Sequence, residues 1–559
     1  MKRKTEFGIG LWGLWLGLAV AVFVLSIYPL LWLARGSFKT AAGYGFGRYV
    51  ELFDRFSFAD VLVNSWVYAL GTTAMSMVLG VGLAVLVART DIPGKGAIRL
   101  ATVLAFVSPP WLTAMAYVFL ASPNAGIVNV LMNGWFGVKP FDVHSMAGMI
   151  VVSALFLYAF VFLTVESALT AIDGSYEEAA RIAGAGRWAV LFRVTLPLVT
   201  PALVAAAVFS LIIAWGLFAT PAILGLPARV YVFSTQLYLF LNAFPPRLEL
   251  AAAMGMIFCL SAAVLGAVLY LLRRPGAAGR YAVIVGKGRR PALLPLGHAK
   301  WGALVFAWAT STLSVLLPYV VIGFMSINTS WYGELSLANV SLSNFVYVLT
   351  EYPNTLRVIG NSLQIAGIET LIVLAVGLGV AYLSARTSMP GREALKGFAT
   401  YTVLVPSVAF VAGVLWAWIQ PPLALYGTIA VIVLAQAARS LPIAVRNIAD
   451  GFRQLDPALE EAARITGAGR FRVFVRVTLP LLRFVALSTG TIVFLSGLRD
   501  LNTPLFLGSG STDTLTLAVL IFQFWGEGRA GESAAFSILL LVLTLVIFLP
   551  LYRREPSLR

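Results

Sequence analysis

Charged side chains recur with one fixed spacing at two places in an otherwise apolar chain. The stretch "EEAARIAGAGRWAVLFRVTLP" covers residues 177–197, and "EEAARITGAGRFRVFVRVTLP" covers residues 460–480. The two stretches agree at 16 of 21 positions. Carboxylates followed by arginines can form ion pairs or dock on a complementary surface, but neither stretch contains a histidine or cysteine that would suit nucleophilic catalysis. We therefore expect these stretches, the first strip and the second strip, to bind a partner.

The chain contains few of the residues and motifs that catalysis or cofactor binding would require. The chain has two histidines, His144 and His298, and one cysteine, Cys259, all far apart in sequence, so neither a His/Cys metal site nor a disulfide is expected. No GxxxxGK[ST] phosphate loop occurs, because "GKG" at 94–96 and at 286–288 lacks the spacing and the trailing hydroxyl residue. We expect no catalytic residues, no metal site and no cofactor in this chain.

Four charged residues lie within or beside apolar segments, where charge is costly and is a functional candidate by default. They are Glu369, Arg439, Arg499 and Asp500. Under the repeat described below, the counterparts of Glu369, Arg439 and Asp500 are Thr72, Phe156 and Leu217, so a pathway lined by these charges would be electrostatically asymmetric. In the structural alternative, Arg439 pairs with Glu369 or caps carbonyl groups at a kink before the following proline.

Each strip is predicted to form a short helix, a bend and a second helix parallel to the membrane. "EEAAR" is strongly helix-forming, and acids in a first turn favour the helix dipole. The following glycines permit a positive φ and a close backbone approach. These glycines are Gly184, Gly186, Gly467 and Gly469, and Pro197 and Pro480 lie near the next helix start. Such an element suits docking in the cleft of a soluble protein, and an ordinary amphipathic interfacial helix is the alternative.

The elements around the strips are long apolar segments. The chain has 559 residues, of which 60% are hydrophobic and 11% charged, with a mean hydropathy of +0.89. Soluble domains are about one quarter charged. We predict an all-α polytopic membrane protein with about twelve transmembrane helices. They lie near 11–34, 65–88, 100–120, 145–170, 198–225, 249–272, 302–327, 362–385, 397–420, 425–448, 481–508 and 533–552.

Basic residues predict the orientation of these spans. Cations cluster before the first span, in alternate loops, in both strips and after the last span. By the positive-inside rule, both termini and both strips are cytoplasmic, and the net charge of +16 faces lipid headgroups and not nucleic acid. The first apolar run is too long for a secretory signal and is predicted to be a retained helix.

The chain contains an internal repeat. "NSWVYALGTTAMSMVLGVGLAVLVARTDIPG" from residue 64 matches "NSLQIAGIETLIVLAVGLGVAYLSARTSMPG" from residue 361 at an offset of 297, whereas the strips match at an offset of 283. The difference of 14 residues is expected in an external loop at 121–144, which would either plug the pathway or receive a partner. We predict two parallel six-helix repeats, at 1–272 and 302–559, joined by a cytoplasmic linker at 273–301.

Both strips resemble the EAA motif of permease subunits of binding-protein-dependent ABC importers. The motif has Glu-Ala-Ala, three residues, Gly, nine residues, and then an aliphatic residue, any residue and Leu-Pro. The matching residues are Glu178, Ala179, Ala180, Gly184, Val194, Leu196 and Pro197 in the first strip and Glu461, Ala462, Ala463, Gly467, Val477, Leu479 and Pro480 in the second, with Glu177 and Glu460 preceding them. Gly186 and Gly469 lie in the same bends.

The resemblance implies the fold, the partners and the location of the protein. It implies the type I ABC importer permease fold in the inner membrane of a prokaryotic cell, fused into one chain. Each strip would be a coupling helix in a groove of one of two ATPase subunits, which carry ATP and Mg. An extracytoplasmic solute-binding protein would deliver the substrate, and the cavity between the halves would open alternately.

The substrate is predicted from weaker features. The linker stretch "RYAVIVGKGRRP" and "LRDLNTPLFLG" at 498–508 resemble ferric iron permeases, whereas the first-half stretch "WGLFATPAILG" departs from the expected pattern at Leu217 and Ala219. Thiamine, phosphonate and polyamine permeases are the neighbouring alternatives. A secondary transporter driven by an ion gradient is the alternative of a different class, but it would need no pair of matched docking strips. A membrane enzyme would need a catalytic cluster.

Overall fold

The computed structural model describes residues 9–55, 57–272, 293–329, 339–421 and 423–554. Several predictions from sequence fall elsewhere. The cations at 2–4, the linker from 273 to 292 with its stretch "RYAVIVGKGRRP", and the side chains of Arg553 and Arg554 lie outside the described residues.

The predicted all-α fold with about twelve spans is confirmed. Within the described residues, nine helices are long and apolar enough to cross a membrane, and three bent helix pairs bring the number to twelve. The nine are Gly10–Ser37, Phe58–Arg89, Met146–Ala171, Leu248–Ala267, Ala299–Ser326, Thr355–Arg386, Ile429–Gln454, Arg470–Leu498 and Ala530–Pro550. The bent pairs are Lys95–Val107 with Pro110–Ala121, Arg187–Leu198 with Thr200–Gly216, and Arg392–Leu404 with Ser407–Trp418.

Two bends divide spans that the sequence predicts as continuous, 100–120 and 397–420, whereas the third lies at the predicted start of the span 198–225. The pairs turn by 101°, 65° and 114° in chain order. Prolines, which have no amide hydrogen to donate to the preceding turn, lie at the first and third breaks and two residues after the second, which is at Val199. Pro109 and Pro406 break the matching third spans, but Pro201 has Phe484 as its counterpart. This difference explains why the first repeat breaks after its strip while the second continues as one helix, Leu479–Leu498.

Shorter elements connect the spans. The other helices are Gly47–Arg55, Ile127–Phe136, Ser175–Ile182, Arg187–Val190, Ala219–Leu224, Phe233–Leu241, Ser343–Val346, Pro457–Ile465, Arg470–Val473, Asn502–Leu507 and Leu517–Gly526. Strands Lys39–Thr40 and Gly43–Tyr44 form an antiparallel hairpin. Five-residue π-helical turns occur at Phe23–Ile27, Leu191–Thr195, Thr312–Leu316, Tyr347–Glu351 and Phe474–Thr478.

Helix bounds repeat at the offsets that the sequence repeat predicts. Phe58–Arg89 and Thr355–Arg386 differ by 297 at both ends, whereas Met146–Ala171 and Ile429–Gln454 differ by 283 at both ends. The 14 extra residues of the first repeat therefore lie between 121 and 146, where the short helix Ile127–Phe136 has no counterpart.

The described helices form two compact units that do not follow chain order. One unit comprises Met1–Val50, Phe240–Ile257 and Phe345–Arg559, and the other comprises Glu51–Leu239 and Phe258–Asn344. The first span thus belongs with the second repeat, where Leu18 packs on Gly379, and the seventh belongs with the first repeat, where Phe306 packs on Gly82. The domain boundaries predicted from the repeat, 1–272, 273–301 and 302–559, remain a prediction.

Glycines allow the central helices of each repeat to pack closely. A Cβ atom on Gly80 would lie 2.6 Å from Val161, and one on Gly377 would lie 2.8 Å from Ala444. Gly80 and Gly377 are counterparts at the offset of 297, so Phe58–Arg89 approaches Met146–Ala171 in the same way as Thr355–Arg386 approaches Ile429–Gln454. This packing holds the last residue of each first helix, an arginine, beside the strip that follows the second.

Candidate functional site

Each strip folds as the predicted helix, bend and second helix. The first strip has helices Ser175–Ile182 and Arg187–Val190, and the second has Pro457–Ile465 and Arg470–Val473. Only one glycine of each pair needs to be glycine. Gly184 and Gly467 have φ of +85° and +87°, whereas Gly186 and Gly469 have φ of −65° and −64°, which any residue adopts. In the first bend, Ala185 N–H donates to Ala180 O at 3.0 Å, as in a Schellman motif.

A buried ion pair fixes the first strip to the helix before it. Arg89 Nε lies 3.3 Å from Glu177 Oε1, and both side chains are buried. Thr195 donates its hydroxyl to the same oxygen at 2.8 Å, and Arg89 Nη2 donates to Leu169 O at 2.6 Å. We call Arg89, Glu177 and Thr195 the first clasp. It ties the end of Phe58–Arg89, the first helix of the strip and the π-helical turn that follows into one body.

The second strip carries the same arrangement. Arg386 Nε donates to Glu460 Oε1 at 3.1 Å, and Thr478 donates to that oxygen at 3.0 Å. Arg386 Nη2 also donates to Phe452 O at 3.0 Å and to Leu455 O at 2.8 Å. We call Arg386, Glu460 and Thr478 the second clasp. Because a buried charge is stable only when it is paired and hydrogen-bonded, these contacts explain why the chain keeps four charges inside two small interfaces.

Sequence reasoning missed the arginines and threonines of both clasps. Arg89 and Arg386 contribute to the cation clusters that predict the orientation, and each ends a span within the repeated tripeptide "ART". Thr195 and Thr478 are likewise repeated, within "RVTLP". Repetition of polar residues at the end of an apolar span was the signal that could have identified them.

The clasps divide the two glutamates of each strip. Glu177 and Glu460 face inward and are buried, whereas Glu178 is half-buried and Glu461 is exposed. The remaining motif positions lie on the outer side or at its edge. Ala179, Gly184, Gly186, Ala462, Gly467, Gly469 and Pro480 are exposed, and Ala180, Pro197 and Ala463 are half-buried.

The outer side of each strip exposes apolar side chains at matching positions. Ile182 and Ile465 are 87% and 86% exposed, and Trp188 and Phe471 are 49% and 81% exposed. A single exposed apolar residue needs no explanation. Two matched sets of exposed apolar side chains, on helices that the clasps hold in place, are typical of a surface that docks on a partner. Burying these side chains against a partner would stabilise the complex by about 25 cal/mol for each Å² of apolar surface removed from water. We call these sets the docking faces.

The last linker residues contact the first strip. Leu294 N–H donates to Arg89 O at 2.8 Å, and Leu296 N–H donates to Asp91 Oδ1 at 3.0 Å. Arg187 Nη1 donates to Pro295 O at 3.0 Å, so the linker joins the strip to the helix end. Among the described linker residues, these contacts are made with the first strip and with the end of the helix before it.

A polar cavity of about 200 Å³ lies among the helices of the second repeat, away from the strip. Its lining residues are Glu369, Gln436, Arg439, Ser440, Ile443, Ser496, Gly497 and Asp500. Ser440 donates to Glu369 Oε1 at 2.5 Å, and Gln436 Nε2 lies 3.4 Å from both Gly497 O and Asp500 Oδ2. Three of the four charged residues proposed from sequence, Glu369, Arg439 and Asp500, therefore meet in one place, whereas Arg499 is not part of its lining.

Arg439 pairs with Asp500. Its Nη1 lies 3.5 Å from Asp500 Oδ2 and 3.5 Å from Thr503 Oγ1, and Thr503 also donates to that carboxylate. Asp500 Oδ1 accepts from Asn502 N–H at 3.2 Å. The ion pair considered from sequence, Arg439 with Glu369, is not the pair that forms, because Glu369 bonds to Ser440 instead.

Comparison with known protein families adds a finding about the whole chain. A family model described as binding-protein-dependent transport system inner membrane component matches the chain twice, over residues 76–275 and 372–559. Each match contains one complete strip and one complete clasp.

Individual relatives are distant but extensive. The ferric transport system permease protein FbpB of Actinobacillus pleuropneumoniae is 22% identical, over 98% of this chain and 78% of that protein. A probable ABC transporter permease protein, y4fN, of Sinorhizobium fredii is 25% identical, over 96% of this chain and 95% of that protein. The molybdenum transport system permease protein ModB of Escherichia coli is 31% identical, over 33% of this chain and 88% of that protein.

Solved structures that resemble the chain include a bacterial alginate ABC transporter in complex with alginate pentasaccharide-bound periplasmic protein. The sequence identity is 17% and the TM-score 0.37, over 47% of this chain and 96% of that chain.

Proposed function

The chain belongs to the family of binding-protein-dependent transport system inner membrane components, and from this premise we propose that it is a permease of an ATP-driven importer in which two repeats are fused. Both strips lie on the cytoplasmic side, as do both termini. Each strip docks on one of two ATPase subunits, which bind ATP and Mg and perform the hydrolysis. An extracytoplasmic solute-binding protein delivers the substrate.

The docking faces together with the clasps are the observation that carries this proposal. A surface that transmits force must bind its partner and must also be rigidly joined to the helices that move. The docking faces are suited to binding a partner, since each presents exposed apolar side chains around Ile182 or Ile465. The clasps join each strip rigidly to a spanning helix, since a buried ion pair links the strip to the long helix that ends at Arg89 or Arg386.

Closure of the ATPase subunits would act on the helices as follows. A displaced strip pulls on the arginine at the end of the long helix, and on the π-helical turn through Thr195 or Thr478. Because the long helix packs through Gly80 or Gly377 against the next span, both spans move as one body. Glu178, Glu461 and the exposed bend glycines are left to contact the partner.

Ferric iron is the substrate we propose. The nearly full-length similarity to FbpB supports it, as does the stretch at 498–508. Thiamine, phosphonate and polyamine remain the alternatives, and relatives named for molybdenum and maltose share parts of the chain. Glu369, Arg439, Arg499 and Asp500 are proposed to belong to the pathway.

The experiment that tests the function uses the complete complex. The chain is co-purified with the ATPase and binding protein encoded beside it and reconstituted in lipid, and ATP hydrolysis is measured with and without Fe³⁺-loaded binding protein. We expect stimulation in the wild type and its loss, together with loss of the ATPase from the complex, in Ile182→Lys with Ile465→Lys. The control is Phe244→Lys, an equally exposed apolar residue outside both strips, which should retain the ATPase.

Three outcomes separate the parts of the proposal. Stimulation only by another loaded ligand would keep the importer and refute iron. Full ATPase retention in the double lysine variant would show that the docking faces are not the coupling surfaces. Absence of any ATPase association in the wild type would refute the importer function.

A further inference from the structure

Two buried oxygen atoms at the polar cavity of the second repeat lack a donor within the part of the chain that the structure describes. Glu369 is fully buried and Gln436 is 3% exposed, yet Glu369 Oε2 and Gln436 Oε1 have no hydrogen-bond partner among the described residues. Both residues line the cavity of about 200 Å³. A buried acceptor without a donor destabilises the folded protein, and more so when the acceptor is charged. Two such atoms at the wall of one cavity indicate that its proper occupant supplies positive charge or donors.

Gly497 leaves room for these two oxygens. A Cβ atom at this position would lie 2.0 Å from Glu369 Oε2 and 3.4 Å from Gln436 Oε1. Any side chain here would therefore displace the glutamate. The helix Leu479–Leu498 therefore presents no side chain at this position, and the Glu369 and Gln436 oxygens lie beside its backbone.

The charges of the lining favour a cation. Glu369 and Asp500 bring two carboxyl groups, and Arg439, 3.5 Å from Asp500, brings one guanidinium group. The remaining polar groups are an amide and hydroxyls, so the potential ligands are all oxygens, as hard cations prefer. An anion would meet the unpartnered carboxylate oxygen directly.

We infer that the polar cavity is a transit site for a hard cation carried by the importer, with Glu369 and Gln436 as oxygen ligands and Asp500 as the second anionic group. The inference rests on the proposed import function and assigns the cationic substrate a site within this chain. Arg439 opposes the two carboxyl groups, which weakens binding of a cation so that the cation can leave.

The site belongs to one repeat only. All its residues lie in the compact unit that contains the second repeat. The corresponding positions of the first repeat are Thr72, Ser153, Phe156 and Leu217, none of which is charged. Ser153 is already bonded to Tyr68 at 2.6 Å. The repeat thus supplies the same scaffold twice, and the charged groups only once.

Titration of the purified chain with Tb³⁺ tests the inference. Tb³⁺ is a hard trivalent probe that stays soluble at neutral pH, and its luminescence reports binding in detergent micelles. We expect Glu369→Gln to weaken the site by roughly tenfold or more, since it removes one of two anionic groups. Arg439→Gln should strengthen it by roughly threefold or more, since it removes the opposing charge. Glu166→Gln, which alters a buried carboxylate paired with Arg99 in the other repeat, is the control and should leave this site unchanged.

The opposite signs of the two variants make the test decisive. A purely structural cluster would lose stability in both variants with no change in Tb³⁺ affinity, and a site for an anion would give no saturable Tb³⁺ luminescence that either variant alters; either result refutes the inference. Because Arg439 is the more exposed residue, its variant remains informative even if Glu369→Gln fails to fold. Stimulated ATP hydrolysis by the wild-type complex, measured separately, distinguishes failure of this site from failure of the importer function.

Discussion

Changing Glu460 to glutamine should release the second strip from the helix that holds it. The substitution keeps the size and shape of the side chain and removes its charge. Arg386 then stays buried without its counter-ion, while the strip loses the charged acceptor shared with Thr478. The second strip is the better copy for this experiment, because the first is also held by Arg187 through the linker carbonyl of Pro295.

The contacts of Arg386 set the size of the effect. Removing one partner of a buried ion pair typically costs about 3–5 kcal/mol. Arg386 keeps two backbone carbonyls, at 3.0 and 2.8 Å, and its side chain is 11% exposed, so we expect the lower limit of about 3 kcal/mol. Since 1.4 kcal/mol corresponds to a factor of ten, the local opening equilibrium of the strip should rise roughly 100-fold.

Hydrogen exchange measures this opening locally, which a melting temperature of a large membrane protein does not. The amides of residues 458–465 should exchange roughly 100-fold faster in Glu460→Gln than in the wild type, while the amides of Ile429–Gln454 should be unaffected except near the end of that helix. Glu461→Gln is the matched control, because it makes the same chemical change one residue further on, at an exposed position. It should alter exchange by less than about twofold.

Equal exchange in the two variants would refute the clasp. So would a large effect in Glu461→Gln alone, because the wrong glutamate would then be the structural one. A double-mutant cycle of Glu460→Gln and Arg386→Gln adds a second check. If the two side chains interact, the double variant should lose clearly less free energy of strip closure than the sum of the losses in the two single variants.

Three further predictions follow from the strips and the linker. Gly467→Ala should destabilise the second bend by about 1 kcal/mol, because its φ of +87° is unfavourable for alanine, whereas Gly469→Ala should be neutral. Thermal unfolding and amide hydrogen exchange of the second strip, measured on both variants, compare the two effects. Thr478→Val should accelerate exchange of the strip by less than the change at Glu460, since it removes one hydrogen bond worth about 1.5–3 kcal/mol, and an equal or larger effect would contradict the ranking. Asp91→Ala should weaken linker attachment by about 1 kcal/mol, visible as faster proteolysis within 293–298, and unchanged cleavage there would contradict the contact.

The spans could be predicted because their signal is local. A run of about twenty apolar residues specifies a span whatever its neighbours are, so twelve were placed from composition alone. The repeat added the offsets of 297 and 283, which the helix bounds reproduce. The positions at which spans bend were less accessible, because Pro109, Pro201 and Pro406 bend their spans whereas Pro442 lies within the continuous helix Ile429–Gln454.

The sequence by itself determined the class of protein, the repeat and the two strips, since apolar length, repetition and helix signals are properties of neighbouring residues. The tertiary structure decided which glutamate of each strip is buried, that Arg89 and Arg386 are their partners, and that Arg439 pairs with Asp500. These contacts join residues 61 to 88 positions apart, as the numbering shows. They depend on how far each helix is rotated about its axis when glycines such as Gly80 and Gly377 bring the helices together, and no pattern within one segment records that rotation.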